Sequence, residues 1–201
     1  MLAIYFGINI ALTQKMYLGM SKQILFFQGG GEDGYNADKA MVASLKNYLG
    51  KDYAVHYNKM QSDESLPDYG WMEQIGKQLA EMKDDLVLAG HSLGASTILK
   101  YLSEHSVDRT IKGIFLLSTP FWNGDEAWKA AFKLKDDFAE KLPKQTPVFF
   151  YQSLDDEEVP YAQFEMYREK LPTATYREIE QGGHQLNDDL AVVAEDIKAL
   201  K

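Results

Sequence analysis

Short apolar runs alternate with amphipathic segments along the chain from residue 23 onward. Four of the six runs are nearly continuous in apolar residues, which is the pattern of strands buried on both faces. The segments between them carry apolar residues at helical spacing, as in Trp71, Ile75 and Leu79. The alternation predicts an α/β fold with a mostly parallel six-stranded sheet and helices on both faces. The predicted strands are Gln23–Gln28, Tyr53–His56, Leu86–Ala89, Ile111–Leu117, Val148–Tyr151 and Thr175–Ile179.

The helices between these strands are predicted from apolar spacing and from residues that commonly begin or end helices. They are a helix capped by Asn36 and ended by Gly50, a helix after Pro67-Asp68, and helices over Ala95–His105, Gly124–Lys141, Tyr161–Lys170 and Asn187–Leu200.

The net charge of −9 argues against nucleic acid and anionic membrane surfaces as partners. The chain has no cysteine, so it has neither a thiolate nucleophile nor cysteine-ligated zinc. A chain without cysteine forms no disulfides, which is typical of proteins in a reducing compartment, and we expect a cytoplasmic location. The sequence leaves the oligomeric state open.

Residues 1–19 are predicted to be an apolar extension in front of a domain over residues 20–201. The run from Met1 to Leu12 is about as long as the apolar part of a signal peptide, but no basic segment precedes it and no small-residue cleavage site follows. It is too short to span a bilayer, so we expect no stable membrane insertion, with a weak signal or anchor as the alternative.

The stretch Gly90-His91-Ser92-Leu93-Gly94 fits the pattern G-x-S-x-G, in which a serine occupies a sharp turn between a strand and a helix. An apolar strand precedes it and a helical stretch follows, which is the context that the pattern requires. This context favours Ser92 as a nucleophile over a serine in an ordinary turn.

A serine nucleophile needs a base, and His184 is the best placed of the four histidines. It follows Gly182-Gly183 in a loop after the last strand, at the edge where parallel sheets place their ligands. His56 ends a strand, His91 lies inside the turn, and His105 falls near the end of a helix.

A carboxylate should orient the base, and four acidic residues follow the fifth strand, from Asp155 to Glu158. A solvated acidic loop is the alternative interpretation. The order of serine, acid and histidine along the chain is the one expected for a serine on such a turn.

Backbone amides are expected to stabilise the oxyanion. One is the amide of Leu93, and the other should come from the glycine loop Gly29–Gly31, with Gly30 as the candidate. The loop could also hold a phosphate, but Glu32 and Asp33 place negative charges where a pyrophosphate would sit.

These motifs together resemble the α/β-hydrolase superfamily, and in particular its small, single-domain, lidless serine hydrolases. The motifs are GHSLG, the string from Asp156 to Pro160, the GGH of Gly182 to His184, and the glycine loop, and the resemblance covers residues 22–201. It implies Ser92 as nucleophile, Asp156 rather than Asp155 as the acid, and His184 as general base. It also implies the strand order 2-1-3-4-5-6. One departure is Gln28-Gly29, where the family often has His-Gly.

The predicted function is a carboxylesterase-like serine hydrolase that cleaves a small ester or thioester by acyl transfer, with no cofactor and no metal. Phe121 and Trp122 follow the end of a strand and are predicted to wall the substrate pocket. The alternative is a catalytically idle hydrolase fold that binds another protein. The motifs do not distinguish ester hydrolysis from peroxidation or carbon–carbon bond cleavage on the same fold.

Overall fold

The structure is a computed structural model that describes residues 21–124 and 127–200. The predicted extension over residues 1–19 lies outside the described residues. Six strands form one sheet in the order β2-β1-β3-β4-β5-β6, and every neighbouring pair is parallel. This confirms the predicted fold class and strand order. The strands are β1 Lys22–Phe27, β2 Tyr53–His56, β3 Leu86–His91, β4 Ile111–Leu117, β5 Val148–Ser153 and β6 Thr175–Ile179.

Helices lie on both faces of the sheet, between the strands. They are α1 Gly34–Ala37, α2 Lys39–Leu49, α3 Trp71–Glu81, α4 Ser92–Glu104, α5 Ala127–Ala130, α6 Phe138–Lys141, α7 Tyr161–Lys170 and α8 Ala191–Lys198, with 3₁₀ turns at Gly50–Asp52 and Leu186–Asp188. None of the described helices combines the length and the apolarity that a bilayer span requires.

The first predicted helix is divided in two, which corrects the prediction of a helix capped by Asn36. Asn36 lies inside the four-residue α1, and α2 begins after Asp38. The carboxylate of Asp38 turns inward and accepts a hydrogen bond from the amide of Gly29 at 2.7 Å. A tertiary contact at Asp38 therefore accompanies the break between the two helices.

Two other predicted helices are shorter than expected. In place of Gly124–Lys141 the described residues form α5 and α6, because Phe132, Leu134 and Phe138 are all buried and do not share one helical face. The last helix begins at Ala191 rather than Asn187, since Asn187 has a left-handed backbone with φ of 54°. Asparagine tolerates that conformation better than most residues.

Alternate residues of each central strand pack into separate cores on the two sides of the sheet. In β1, Ile24 and Phe26 contact the side covered by α2 and α8, whereas Leu25 and Phe27 contact the side covered by α3 and α4. Phe27 of β1 is in register with Gly90 of β3. The loops after β1 and β3 therefore begin side by side at the carboxyl edge of the sheet.

Candidate active site

Ser92 lies at the junction of β3 and α4 with a backbone φ of 50°. A residue with a Cβ in this left-handed region carries a strain of about 1–2 kcal/mol, and such strain is typical of functional positions. Two residues later, a Cβ on Gly94 would lie 2.3 Å from the carbonyl oxygen of Gln28, so only glycine fits there. The close approach of α4 to the end of β1 fixes the turn that carries Ser92.

His184 lies in the loop after β6 and lines the same cavity as Ser92. Its Nδ1 is 3.0 Å and 3.1 Å from the two carboxylate oxygens of Asp156. Because a carboxylate only accepts, Nδ1 carries a proton, and the neutral tautomer with that proton has its lone pair on Nε2. In the described part of the chain no hydrogen bond joins Ser92 Oγ to the ring, and Nε2 lies 3.6 Å from the exposed carboxylate of Glu158.

The Asp156 side chain is fully buried beneath the imidazole. It accepts hydrogen bonds from the amides of Glu158 and Val159, each at 2.9 Å, and from the side-chain amide of Gln152 at 2.9 Å. Burial raises the pKa of Asp156, but the hydrogen bonds from His184 and from the two backbone amides lower it below the ordinary value. Asp156 is therefore an ionised partner for the imidazole at neutral pH.

The neighbouring Asp155 makes a different set of contacts. Its Oδ1 accepts the amides of Gly182 at 2.9 Å and Gly183 at 2.8 Å, together with the hydroxyl of Ser153. These hydrogen bonds, led by that of Ser153, lower its pKa to about 2. Asp155 thus holds the backbone of the loop after β6, whereas Asp156 faces the His184 ring.

A second aspartate–histidine pair, Asp38 and His91, borders the site, and no motif in the sequence marks Asp38. The side chains are 0% and 1% exposed, with 2.9 Å between Asp38 Oδ1 and His91 Nδ1. His91 Nε2 lies 2.9 Å from the carbonyl oxygen of His184, to which it donates. Burial lowers the pKa of His91, but the carboxylate of Asp38 and that carbonyl outweigh it and raise the pKa above the ordinary value. Each ring nitrogen lies 2.9 Å from an acceptor oxygen, an arrangement that favours the protonated ring.

Gly30 and Leu93, the predicted oxyanion donors, line the cavity together with Ser92. A Cβ on Gly30 would lie 2.9 Å from Leu93 Cδ2, so the glycine loop packs directly on the turn. Among the described residues, neither amide donates a hydrogen bond to the protein, whereas the amide of Gly29 is taken by Asp38. Two amides are thus open for a ligand.

The cavity has a volume of about 640 Å³, and its walls include Tyr69 and Trp122. The indole Nε1 of Trp122 donates to Ser96 Oγ of α4 at 2.9 Å. Phe121, predicted beside Trp122, does not line the cavity: its ring packs edge-on against Tyr167, with 5.0 Å between centroids. Within residues 21–124 and 127–200, no three His, Asp or Glu side chains converge as metal ligands.

Tyr69 was missed from the sequence because nothing in its loop signals a pocket wall. The loop between β2 and α3 is tied down by the buried Gln28, whose Oε1 accepts the amide of Met60 at 2.8 Å. Gln28, which stands where the family often has histidine, therefore holds the loop that carries Tyr69 through this hydrogen bond.

A parallel sheet in this order, with a left-handed serine between β3 and α4, defines the α/β-hydrolase fold. Residues 42–190, more than half of the chain, match the family model described as serine hydrolase. The chain therefore belongs to the serine hydrolase family and is a hydrolase. A search of the curated proteins found no match to this sequence.

Solved structures share the fold at low sequence identity. The ydeN gene product of B. subtilis is 18% identical, with a TM-score of 0.66 over 89% of this chain and 98% of that chain. CarC, a serine hydrolase involved in carbazole degradation, is 15% identical, with a TM-score of 0.67 over 90% and 92% of the two chains. Est1E from Butyrivibrio proteoclasticus is 16% identical, with a TM-score of 0.61 over 89% and 86%.

Proposed function

We propose that the protein hydrolyses small esters or thioesters by acyl transfer through Ser92, His184 and Asp156. The observation that carries the proposal is the orientation of His184. Its Nδ1 faces the ionised Asp156, and its Nε2 keeps a lone pair at the cavity that Ser92 lines. This is the arrangement that a general base for a serine hydroxyl requires.

In the first half of the reaction, Ser92 Oγ attacks the substrate carbonyl carbon while His184 Nε2 takes the hydroxyl proton. The carbonyl oxygen becomes an oxyanion held by the amides of Gly30 and Leu93. The tetrahedral intermediate collapses to an acyl-enzyme, and His184 returns the proton to the departing alcohol or thiol. In the second half, water attacks the acyl-enzyme by the same route and releases the acid and the free serine.

The lining of the cavity favours neutral or cationic substrates. A volume of about 640 Å³ lies in the range for small-molecule sites. Asp33, Asp38 and Glu158 contribute carboxylates to the lining, and within the described residues no lysine or arginine lines it. His91 also lines the cavity, but it is paired with Asp38. A carboxylate on the substrate would therefore lack a counterion, while the aromatic rings of Tyr69 and Trp122 offer apolar contact and a face for a cation.

Labelling by a fluorophosphonate tests the assignment of the nucleophile. Wild type should be labelled and Ser92→Ala should not. Ser103→Ala, a serine change on the same helix away from the cavity, should be labelled like wild type. Equal labelling of wild type and Ser92→Ala would overturn the proposal.

A panel of p-nitrophenyl esters tests the substrate class. We expect kcat/KM to fall from short to long acyl chains, and to be lower for an anionic acyl group than for neutral and cationic groups of the same size. Est1E has been solved with ferulic acid bound, so an aromatic ester belongs in the panel. A preference for the anionic ester would contradict the proposed role of the cavity lining.

A further inference from the structure

Three contacts form a continuous buried path between the two loops that flank Ser92. The amide of Gly29 donates to Asp38 Oδ2 at 2.7 Å, Asp38 Oδ1 lies 2.9 Å from His91 Nδ1, and His91 Nε2 donates to the carbonyl of His184 at 2.9 Å. The path begins in the glycine loop after β1 and ends in the loop after β6. These are the loops that carry Gly30 and His184.

We propose that Asp38 and His91 are positioning residues. They hold the glycine loop, which carries Gly30, and the loop after β6, which carries His184, at a fixed distance from each other on either side of Ser92. The inference rests on the proposed function, because it assigns to this pair the alignment of the groups named there. Neither residue is proposed to exchange a proton with substrate.

The geometry excludes His91 as a second base. Both of its ring nitrogens face acceptors, and its side chain is 1% exposed. Asp38 Oδ1 and His91 Nδ1 have no hydrogen-bond partner within the described residues, so their 2.9 Å contact is a buried ion pair. His91 borders the cavity, but each of its ring nitrogens lies 2.9 Å from a protein oxygen, so neither is open toward Ser92, and Nε2 is a donor held in place.

The location of the pair explains why it can act on both loops. His91 is the residue before Ser92, so the path runs through the strained turn itself. A Cβ on Gly29 would lie 3.0 Å from His91 Nδ1, which leaves little space for the glycine loop to shift. Ser118 Oγ donates to the same His184 carbonyl at 2.9 Å, so that carbonyl is restrained from two sides.

Precise alignment of reacting groups is worth large factors in rate, and a displacement of about 1 Å can cost about 100-fold. His91→Leu removes the donor to the His184 carbonyl while keeping bulk in the turn. We expect kcat, and the rate of fluorophosphonate labelling, to fall about 10- to 100-fold with KM within about twofold of wild type. His56→Gln, a change at a half-buried histidine outside the site, is the control and should leave both rates unchanged.

A rescue pair separates positioning from general stability. His91→Gln keeps a donor toward the His184 carbonyl but places its amide oxygen against the Asp38 carboxylate, so its kcat should fall. In the double variant Asp38→Asn/His91→Gln, the side-chain amide introduced at position 38 can accept from Gly29 and donate to the amide introduced at position 91, which restores an unbroken neutral path. The kcat of the double variant should recover to at least tenfold above that of His91→Gln.

The proposal is overturned if His91→Leu, assayed well below its unfolding temperature, keeps the wild-type kcat and labelling rate. If His91→Leu does not fold, the rescue pair decides, and equal kcat in wild type, His91→Gln and the double variant overturns it. These results differ from a failure of the proposed function, in which Ser92→Ala is labelled as fast as wild type in the same assay.

Discussion

The molecule contains two aspartate–histidine pairs whose imidazole rings lie 4.6 Å apart, centroid to centroid, in very different surroundings. His184 has one nitrogen on Asp156 and the other at the cavity, and its side chain is 10% exposed. His91 has one nitrogen on Asp38 and the other on a backbone carbonyl, with a side chain 1% exposed. A carboxylate partner is common to both, so it does not distinguish the proposed base from His91. The two rings differ at Nε2: that of His91 donates to a carbonyl, whereas that of His184 has no hydrogen-bond partner among the described residues and lies at the cavity, 3.6 Å from Glu158.

His184→Ala is expected to have the largest effect on activity. Loss of the base should lower kcat about 10⁵- to 10⁶-fold while the protein stays folded, because the nucleophile and the base act as one unit. Steady-state hydrolysis of the best ester in the panel, with circular dichroism as the test of folding, measures this. His105→Ala, at an exposed histidine, should retain full activity, and a loss of less than about tenfold in His184→Ala would break the distinction between the two pairs.

Asp156→Asn should be the next most damaging change. The amide can donate to Nδ1 and so favours the wrong tautomer of His184, which should lower kcat about 10⁴-fold. Asp155→Asn is the matched control, because this carboxylate contacts only the backbone of the loop and the Ser153 hydroxyl. If both variants lost activity equally, the assignment of Asp156 as the partner of the imidazole would be wrong.

Asp155 and Asp156 also show what could not be predicted from the residues alone. The sheet and the strained serine were predictable, because apolar runs that alternate with helical segments indicate a parallel sheet, and G-x-S-x-G between a strand and a helix indicates the turn. Asp155 and Asp156 are chemically identical and adjacent, and only the resemblance to a family favoured the second. The distinct contacts of the two carboxylates arise from how the loop after β5 meets the loop after β6.

Asp38 and Tyr69 illustrate the part that pattern reading misses. Asp38 falls in a helical stretch, where an acidic residue normally lies on the solvated face, and no local signal shows that it is 0% exposed. Its burial depends on His91, which is distant in sequence, and on the glycine loop that both contact. Phe121 shows the opposite case, since an aromatic residue at a strand end was expected in the pocket and instead packs, partly buried, against the core and the Tyr167 ring.

Asp38→Ala should destabilise the protein more than His184→Ala does, although His184→Ala should cost more activity. Removing one partner of a buried ion pair leaves a buried charge uncompensated, which costs about 3–5 kcal/mol. His184→Ala should change the free energy of unfolding by no more than about 1 kcal/mol, because its ring borders the cavity. Urea unfolding of both variants measures the difference, and equal stability would show that the Asp38–His91 pair is not a buried charge pair.

The smallest expected effect concerns Asp155, which accepts the Gly182 and Gly183 amides of the loop that carries His184. Its pKa in the folded protein is about 2, below the value of about 3.9 for an unfolded aspartate, so the unfolded chain binds more protons between these values. The stability that Asp155 contributes is therefore fully present above about pH 5 and is lost as the pH falls through about 4 toward about 2. The difference in unfolding free energy between wild type and Asp155→Asn, measured by urea titration from about pH 7 downward, should be constant to about pH 5 and shrink below about pH 4. A difference that stayed constant down to about pH 2.5 would mean that the Gly182 and Gly183 amides are not held by an ionised carboxylate, and that the Asp38–His91 path and Ser118 restrain His184 without it.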